Sequence, residues 1–314
     1  MLNMKSNVRP LICIAGPTAS GKTGLAFHLA ELLKCDIVSV DSALVYRGMD
    51  IGTAKPTIQE RTKFQHHLID IQGIEDSYSV ASFIKDVRDI LADNDESTPP
   101  LFVGGTMLYF DALINGISVL PTQNISIRNT ILNEVENYGL GIIYDELCRK
   151  DPLAASKISK NDSQRIQRAI EVIRLTGQPI SSLQKRKRVI DRNFKLIALF
   201  PTDRAWLHRR IEERFHLMLD QGFLKEVENL QNSYNTLNNN LPSMRSVGYR
   251  QALAYLSGDY SYAEFIDKAI AATRQLAKRQ LTWLRNWKGQ IEYIDPVKND
   301  INISVERYIK SFIC

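Results

Sequence analysis

Residues 11–41, LICIAGPTASGKTGLAFHLAELLKCDIVSVD, decide the fold. An apolar run, LICIA (11–15), leads into a glycine-bearing loop, then a helical stretch over about 22–34, then a second short apolar run, IVSV (37–40). Short apolar runs of this kind read as strands, so the order is strand, loop, helix, strand. The loop fits G-x-x-x-x-G-K-[ST] and lies between a strand and a helix, the context that separates a phosphate loop from a chance match. Gly16, Thr18, Ala19, Ser20, Gly21, Lys22 and Thr23 are its candidate phosphate-binding residues. The glycines let backbone N–H groups converge on phosphate oxygens, the helix N-terminus adds a favourable dipole, and Lys22 supplies a point cation. Thr23 is the candidate Mg²⁺ ligand through its hydroxyl. Such a loop defines a class and no single reaction, since kinases, hydrolases and switches share it.

Working outward, LFV (101–103) follows a helical pattern over 79–92 and a polar loop, and KLIALF (195–200) precedes a long amphipathic stretch. IEYI (291–294) is a last short strand candidate. Strands that alternate with helices imply an α/β fold, here a P-loop-type, mostly parallel sheet flanked by helices. Between 117 and 190 the strand signals vanish and helical periodicity takes over, as in Ile127, Ile131, Val135 and Ile166, Ile170, Ile173. The expected organisation is therefore a first part of the core at 1–116, a small helical insertion domain at 117–190, and the remainder of the core with C-terminal helices at 191–314. The basic run QKRKRV (184–189) reads as a solvated face, and NSYNTLNNNLP (232–242) as an Asn-rich loop.

The chain of 314 residues, 44% hydrophobic and 24% charged, is long enough for a full core, and its formal net charge of +5 is compatible with a polyanionic partner without demanding one. Cys13, Cys35, Cys148 and Cys314 show no C-x-x-C spacing, so neither a zinc site nor a disulfide framework is suggested. No leader pattern opens the chain, and no run approaches the roughly 20 apolar residues of a membrane span. A cytoplasmic protein with no membrane contact is expected.

Asp41 follows IVSV and should project from the carboxyl end of the second strand, on the edge that carries the loop. There it can act as a base, or with Ser42 it can cap a turn. Thr106, after the glycine pair that ends LFV, can send a hydroxyl to the same edge or cap a helix. Residues 45–56, VYRGMDIGTAKP, form a long irregular segment of the kind that usually serves function. Adjacent His66 and His67 have the wrong spacing for a metal pair on a helix and read as structural.

Seven blocks together resemble the tRNA dimethylallyltransferase family: GPTASGKT (16–23), VDSALVYRGMDIGTAKP (40–56), HHLID (66–70), VGGTMLYF (103–110), NDSQRIQRAIEV (161–172), SVGYRQ (246–251) and ATRQLAKRQLTWLR (272–285). The resemblance implies transfer of a dimethylallyl group from dimethylallyl diphosphate to N6 of adenine 37, beside the tRNA anticodon, with diphosphate released and Mg²⁺ as cofactor. It implies that Asp41 is the general base, that Thr106 contacts the reacting groups, and that Arg214, in RIEERF (210–215), neutralises diphosphate. It also implies an anticodon-arm surface made of Asp41, Ser42, Ala43, Leu44, Thr106, Arg128, Gln164, Arg165, Ile166, Gln167, Arg168, Arg245, Ser246, Val247, Gly248, Tyr249, Arg250, Lys278, Arg279, Gln280, Trp283 and Arg285. A monomer is expected. Many family members carry Gln where this chain has Leu44. By residue chemistry alone, Trp283 and Trp287 at i, i+4 read as core anchors of the late helix. The rivals are a small-molecule kinase, in which Asp41 would activate a hydroxyl, an RNA-binding nucleotide switch, and an adenylate isopentenyltransferase acting on free nucleotides.

Overall fold

The structure, a computed structural model, describes residues 9–118, 120–234, 237, 241–298 and 300–313. The expectations for Cys314, for the extreme N-terminus and for Asn235, Thr236 and Asn238–Asn240 of the Asn-rich loop fall outside the described residues. Eight strands are described: β1 (Leu11–Ala15), β2 (Ile37–Val40), β3 (His66–His67), β4 (Leu101–Gly104), β5 (Ile117–Ser118), β6 (Arg186–Lys187), β7 (Phe194–Leu199) and β8 (Glu292–Ile294). Six of them form one parallel sheet in the order β3-β2-β4-β1-β7-β8.

The chain divides into two compact units. The first comprises residues 1–114 and 190–314, and the second residues 115–189. In the first unit β1 and β2 are buried at every position, which is why they read as unbroken apolar runs: a central parallel strand is covered on both faces. Helices Lys22–Leu33 and Ile301–Ile313 cover one face through Leu25, Leu29, Val305 and Ile309, packed on Ile12, Ile14, Ile197 and Leu199. A second core gathers Val45, Met49 and Ile74 with Phe215, Phe223, Tyr249 and Phe265 from the later helices.

The irregular segment after β2 is fixed by two polar anchors, half-buried Glu226 and buried Lys55. The Glu226 carboxylate accepts the N–H groups of Asp50, Ile51 and Gly52 at 2.9, 2.7 and 3.2 Å, and the Tyr249 hydroxyl at 2.5 Å. Lys55 is buried and donates to Tyr46 O, Asp50 Oδ1 and Asp70 Oδ1 at 2.6, 2.7 and 2.6 Å. Gly52 is required there, since a Cβ would lie 2.2 Å from the Phe223 ring.

The second unit is helical, with helices Ile125–Tyr138, Leu140–Lys150 and Ser163–Thr176 packed around Ile131, Ile143, Leu147, Ile166 and Ile170. Its ends are joined by an antiparallel pair too short to show periodicity, Ile117 with Lys187 and Ser118 with Arg186. The basic run thus holds a short strand, and Arg186 and Lys187 are exposed. Among the described residues no helix is long and apolar enough to cross a membrane.

Candidate active site

The carboxyl ends of β1, β2 and β4 open onto one cavity of about 540 Å³. This is where a doubly wound sheet places its ligands. After β1 comes the phosphate loop. Gly16 is held close to its surroundings, a Cβ there meeting Ser20 Oγ at 2.8 Å and Leu199 at 3.1 Å. Ala19 and Gly21 take left-handed backbone, φ 62° and 97°, which turns the chain into helix Lys22–Leu33. That helix has no side-chain cap, so its first-turn N–H groups face the cavity without a helical acceptor.

Lys22 Nζ donates to Pro17 O at 2.6 Å within the loop, and burial, reinforced by the Arg214 guanidinium, pushes its ammonium down to about 7. Nearby Asp41 opposes that shift. Arg214 comes from helix Arg204–Asp220, whose inner face presents Ile211, Arg214, Phe215 and Met218 at helical spacing to the cavity. Burial lowers the Arg214 pKa, with Asp41 acting in the opposite direction. Asp41, Lys22 and Arg214 therefore share one electrostatic neighbourhood of two cations and one carboxylate.

Asp41 follows the last residue of β2, and β4 passes so close that a Cβ on Gly104 would lie 2.0 Å from Val40 O. That approach brings Thr106 to Asp41: Thr106 N–H donates to Val40 O at 3.2 Å, and Thr106 Oγ1 accepts the Ser42 N–H at 3.0 Å. Asp41 Oδ1 accepts the Ala43 N–H at 2.8 Å. Helix Tyr262–Arg285 closes the cavity with Thr273, Leu276, Gln280 and Trp283, which recur every three or four residues and so share a face.

The structure brings Asp41, Ser42, Ala43, Leu44, Thr106 and Arg214 to one cavity with Ala19, Lys22 and Thr23. Arg245, Ser246, Val247, Gly248, Arg279 and Trp283 line it too. Other expected contacts are redirected. Within the loop, the Thr18 N–H donates to Gln280 Oε1 at 2.9 Å and the Ser20 N–H to Pro17 O at 3.3 Å, so neither is offered to a ligand. The Ser20 side chain is fully buried. Gln280, expected to touch RNA, is buried with its other amide end donating to Gly105 O at 2.9 Å. Tyr249 is fully buried beside Glu226, and Ile166 is fully buried in the core of the second unit.

Arg168 donates to Glu171 Oε2 at 3.0 Å and to Pro121 O at 2.6 Å, and Arg128 lies 3.7 Å from the same buried Glu171. Gln167 bonds Ser163 Oγ at 2.8 Å. These side chains build the second unit, whereas Gln164 and Arg165 are exposed on it. The tryptophans are not core anchors: the helix stops at Arg285, its buried stripe runs through Ala277, Leu281 and Leu284, and Trp283 is 39% exposed. Arg285 is exposed and stacks its guanidinium 5.7 Å from the Phe200 ring, while Lys278 and Arg250 are exposed. Sequence reasoning missed the roles of Glu226, Lys55 and Gln280, whose partners lie far away in the chain, and Met218 and Leu276 as apolar wall.

Similarity to known proteins agrees with this geometry. A family model described as IPP transferase matches residues 44–287. Proteins named tRNA dimethylallyltransferase from Francisella tularensis subsp. novicida (strain U112) and Francisella philomiragia are 49% identical over 301 residues and 50% identical over 285 residues; the matches cover 94% and 90% of this chain and 96% and 92% of the relatives. The crystal structure of the full-length tRNA isopentenylpyrophosphate transferase from Bacillus halodurans superposes with a TM-score of 0.70 at 33% identity, covering 97% of this chain and 96% of that one. A eukaryotic dimethylallyltransferase acting on tRNA superposes with a TM-score of 0.79 at 26% identity, covering 95% of this chain and 77% of that one. On the full-length sequence match and the shared P-loop-type parallel sheet, the chain belongs to the IPP transferase family.

Proposed function

We propose that this protein is a tRNA dimethylallyltransferase that moves the five-carbon group of dimethylallyl diphosphate onto N6 of adenine 37 of tRNA and releases diphosphate. The observation that carries this reading is the mixed charged and apolar lining of the cavity. Lys22, Thr23, Arg214 and the uncapped helix start give it charge, and Ile211, Phe215, Met218 and Leu276 give apolar wall to the same cavity that holds Asp41. A diphosphate bearing a short branched hydrocarbon uses both kinds of lining.

In that pose Lys22 and Arg214 stabilise the charge that grows on the departing diphosphate, in a partly enclosed site where such charges count for more than in water. The allylic C–O bond breaks as the N6–C bond forms, and Asp41 takes the proton that N6 loses. Thr106 keeps Asp41 in place and can turn its own hydroxyl proton toward the reacting groups. The adenine must leave the anticodon stack to reach the cavity, at a cost of roughly a few kcal/mol.

Mg²⁺ fits the donors present. Among the described residues no group of three or more His, Cys, Asp or Glu could hold a metal, but Mg²⁺ commonly takes few protein ligands and keeps phosphate oxygens and water. Thr23, exposed at the helix start and lining the cavity, would hold it together with the diphosphate. When bound, the ion supplies further charge neutralisation of the leaving group.

The RNA surface of the first unit is proposed to include Arg245, Arg279 and Trp283, which line the cavity, and the exposed Lys278 and Arg285 of the same late helix; for the second unit, taken by itself, the exposed Gln164 and Arg165 are the proposed RNA-contacting residues. Exposed cations there would neutralise phosphates, and Trp283 offers a stacking face. The direct test is ligand preference: binding of dimethylallyl diphosphate and of ATP is measured with Mg²⁺ present. The isoprenoid diphosphate should bind with no ATP turnover. Steady conversion of ATP to ADP with phosphorylation of a small alcohol would establish a kinase instead.

A further inference from the structure

Ser39 lies two residues before Asp41 on β2, is 4% exposed, and its hydroxyl has no hydrogen-bond partner among the described residues. An unpartnered buried hydroxyl costs free energy unless a partner meets it, so its presence in a binding cavity calls for an account. Ser20 Oγ is also unpartnered, but it lies under Gly16 and does not line the cavity. Ser39 does line it.

The strand period of two puts Ser39 on the sheet face of Ile37, the face covered by helix Lys22–Leu33. Thr23, Ala26 and Phe27 of that helix line the same cavity, as does Val103, which pairs with Ser39 in register on β4. Ser39 thus lines the same cavity as Thr23, on the strand that leads into Asp41. A neutral hydroxyl adds no charge for a diphosphate, yet it accepts a hydrogen bond as readily as it donates one. What donates in such a place is a water polarised by a cation, and Mg²⁺ keeps several of its waters when it binds phosphates.

We propose that Ser39 is a further binding residue of this site, its Oγ accepting a hydrogen bond from a water of the Mg²⁺ that accompanies the diphosphate, while Thr23 serves the ion directly. The inference rests on the diphosphate reading of the cavity. Residues that hold metal-bound water in this way typically change metal-dependent affinity by 10-fold or more when removed.

The test is calorimetric binding of inorganic diphosphate to the whole protein, in excess MgCl₂ and again in EDTA. It compares wild type, Ser39→Ala and Ser39→Thr. Ser39→Ala should weaken binding about tenfold in Mg²⁺ and leave it unchanged in EDTA. The ligand-free Tm of Ser39→Ala should equal or exceed that of wild type, because an unsatisfied group has been removed. Ser39→Thr, which keeps the hydroxyl, should stay within about threefold of wild type. Equal affinities of wild type and Ser39→Ala in Mg²⁺ would overturn the role of Ser39 and leave the diphosphate site standing. Equal losses in Mg²⁺ and in EDTA would overturn the metal-water assignment. No binding of diphosphate by wild type in either buffer would overturn the reading of the cavity and this inference with it.

Discussion

Thr106 grips the backbone on both sides of Asp41, its N–H donating to Val40 O at 3.2 Å and its Oγ1 accepting the Ser42 N–H at 3.0 Å. A base held in this way is positioned before substrate arrives, which is the condition for efficient proton transfer. Asp41→Asn should keep the geometry and lower kcat by ~10²–10⁴-fold with tRNA affinity nearly intact. Thr106→Val should lower kcat by about tenfold or more through the loosened Asp41 segment, at about 1 kcal/mol of stability. Single-turnover rates and tRNA binding for both variants test this. Parallel losses of binding and rate in Asp41→Asn would contradict the assignment.

Gln280 ties the phosphate loop to the end of β4, through Thr18 N–H and Gly105 O. Gln280→Ala leaves the buried Gly105 O and the half-buried Thr18 N–H without this partner and should destabilise the fold by about 1–3 kcal/mol. Gln280→Glu restores the acceptor for Thr18 but not the donor to Gly105 and should recover part of the loss. Urea unfolding measures both; a neutral Gln280→Ala would mean the bridge contributes nothing.

Lys22, pushed down to about 7 by burial and by Arg214, is mostly neutral at pH 8 in the free protein and charged below pH 7. A bound diphosphate favours the ammonium, so binding at pH 8 should take up about 0.9 proton per site, falling toward zero near pH 6. Titration calorimetry in buffers of different ionisation enthalpy reads that number. Lys22→Met should remove the uptake and weaken binding. Uptake that persists in Lys22→Met would place the titrating group elsewhere.

Binding of an anticodon stem-loop should weaken steeply with salt, and replacing both Lys278 and Arg285 by Ala should reduce the slope of log K against log[salt] by roughly 2, about 1 for each phosphate contact. Arg168→Ala should behave differently. Its partners are the buried Glu171 and Pro121 O, so it should destabilise the helical insertion and leave the salt slope unchanged. A double variant indistinguishable from wild type would make the late helix structural only.

What the sequence revealed follows from what is local. β1, β2, β4 and β7 are buried parallel strands and read as apolar runs, and the loop at 16–23 carries its own spacing. Asp41 was legible because it ends such a run. β3 was not, because His66 and His67 form a strand through register with Ile37 and Val38 and not through composition. The Gln280 bridge spans 262 residues to Thr18, a distance no local pattern reports. Tyr249 and Ile166 belong to the quoted blocks, yet both side chains are fully buried in hydrophobic cores, which motif membership alone does not report. Two tryptophans at helical spacing look like a buried stripe, but the helix ends before Trp287 and buries Ala277, Leu281 and Leu284, leaving Trp283 39% exposed.

The central claim is the transfer itself. Purified protein is incubated with dimethylallyl diphosphate, Mg²⁺ and unmodified tRNA, and the tRNA is digested for nucleoside analysis while released diphosphate is counted. The account predicts N6-isopentenyladenosine at position 37, formed in equal amount with diphosphate and lost in Asp41→Asn. Unmodified adenosine at that position, with the wild-type protein folded and dimethylallyl diphosphate bound, would contradict it.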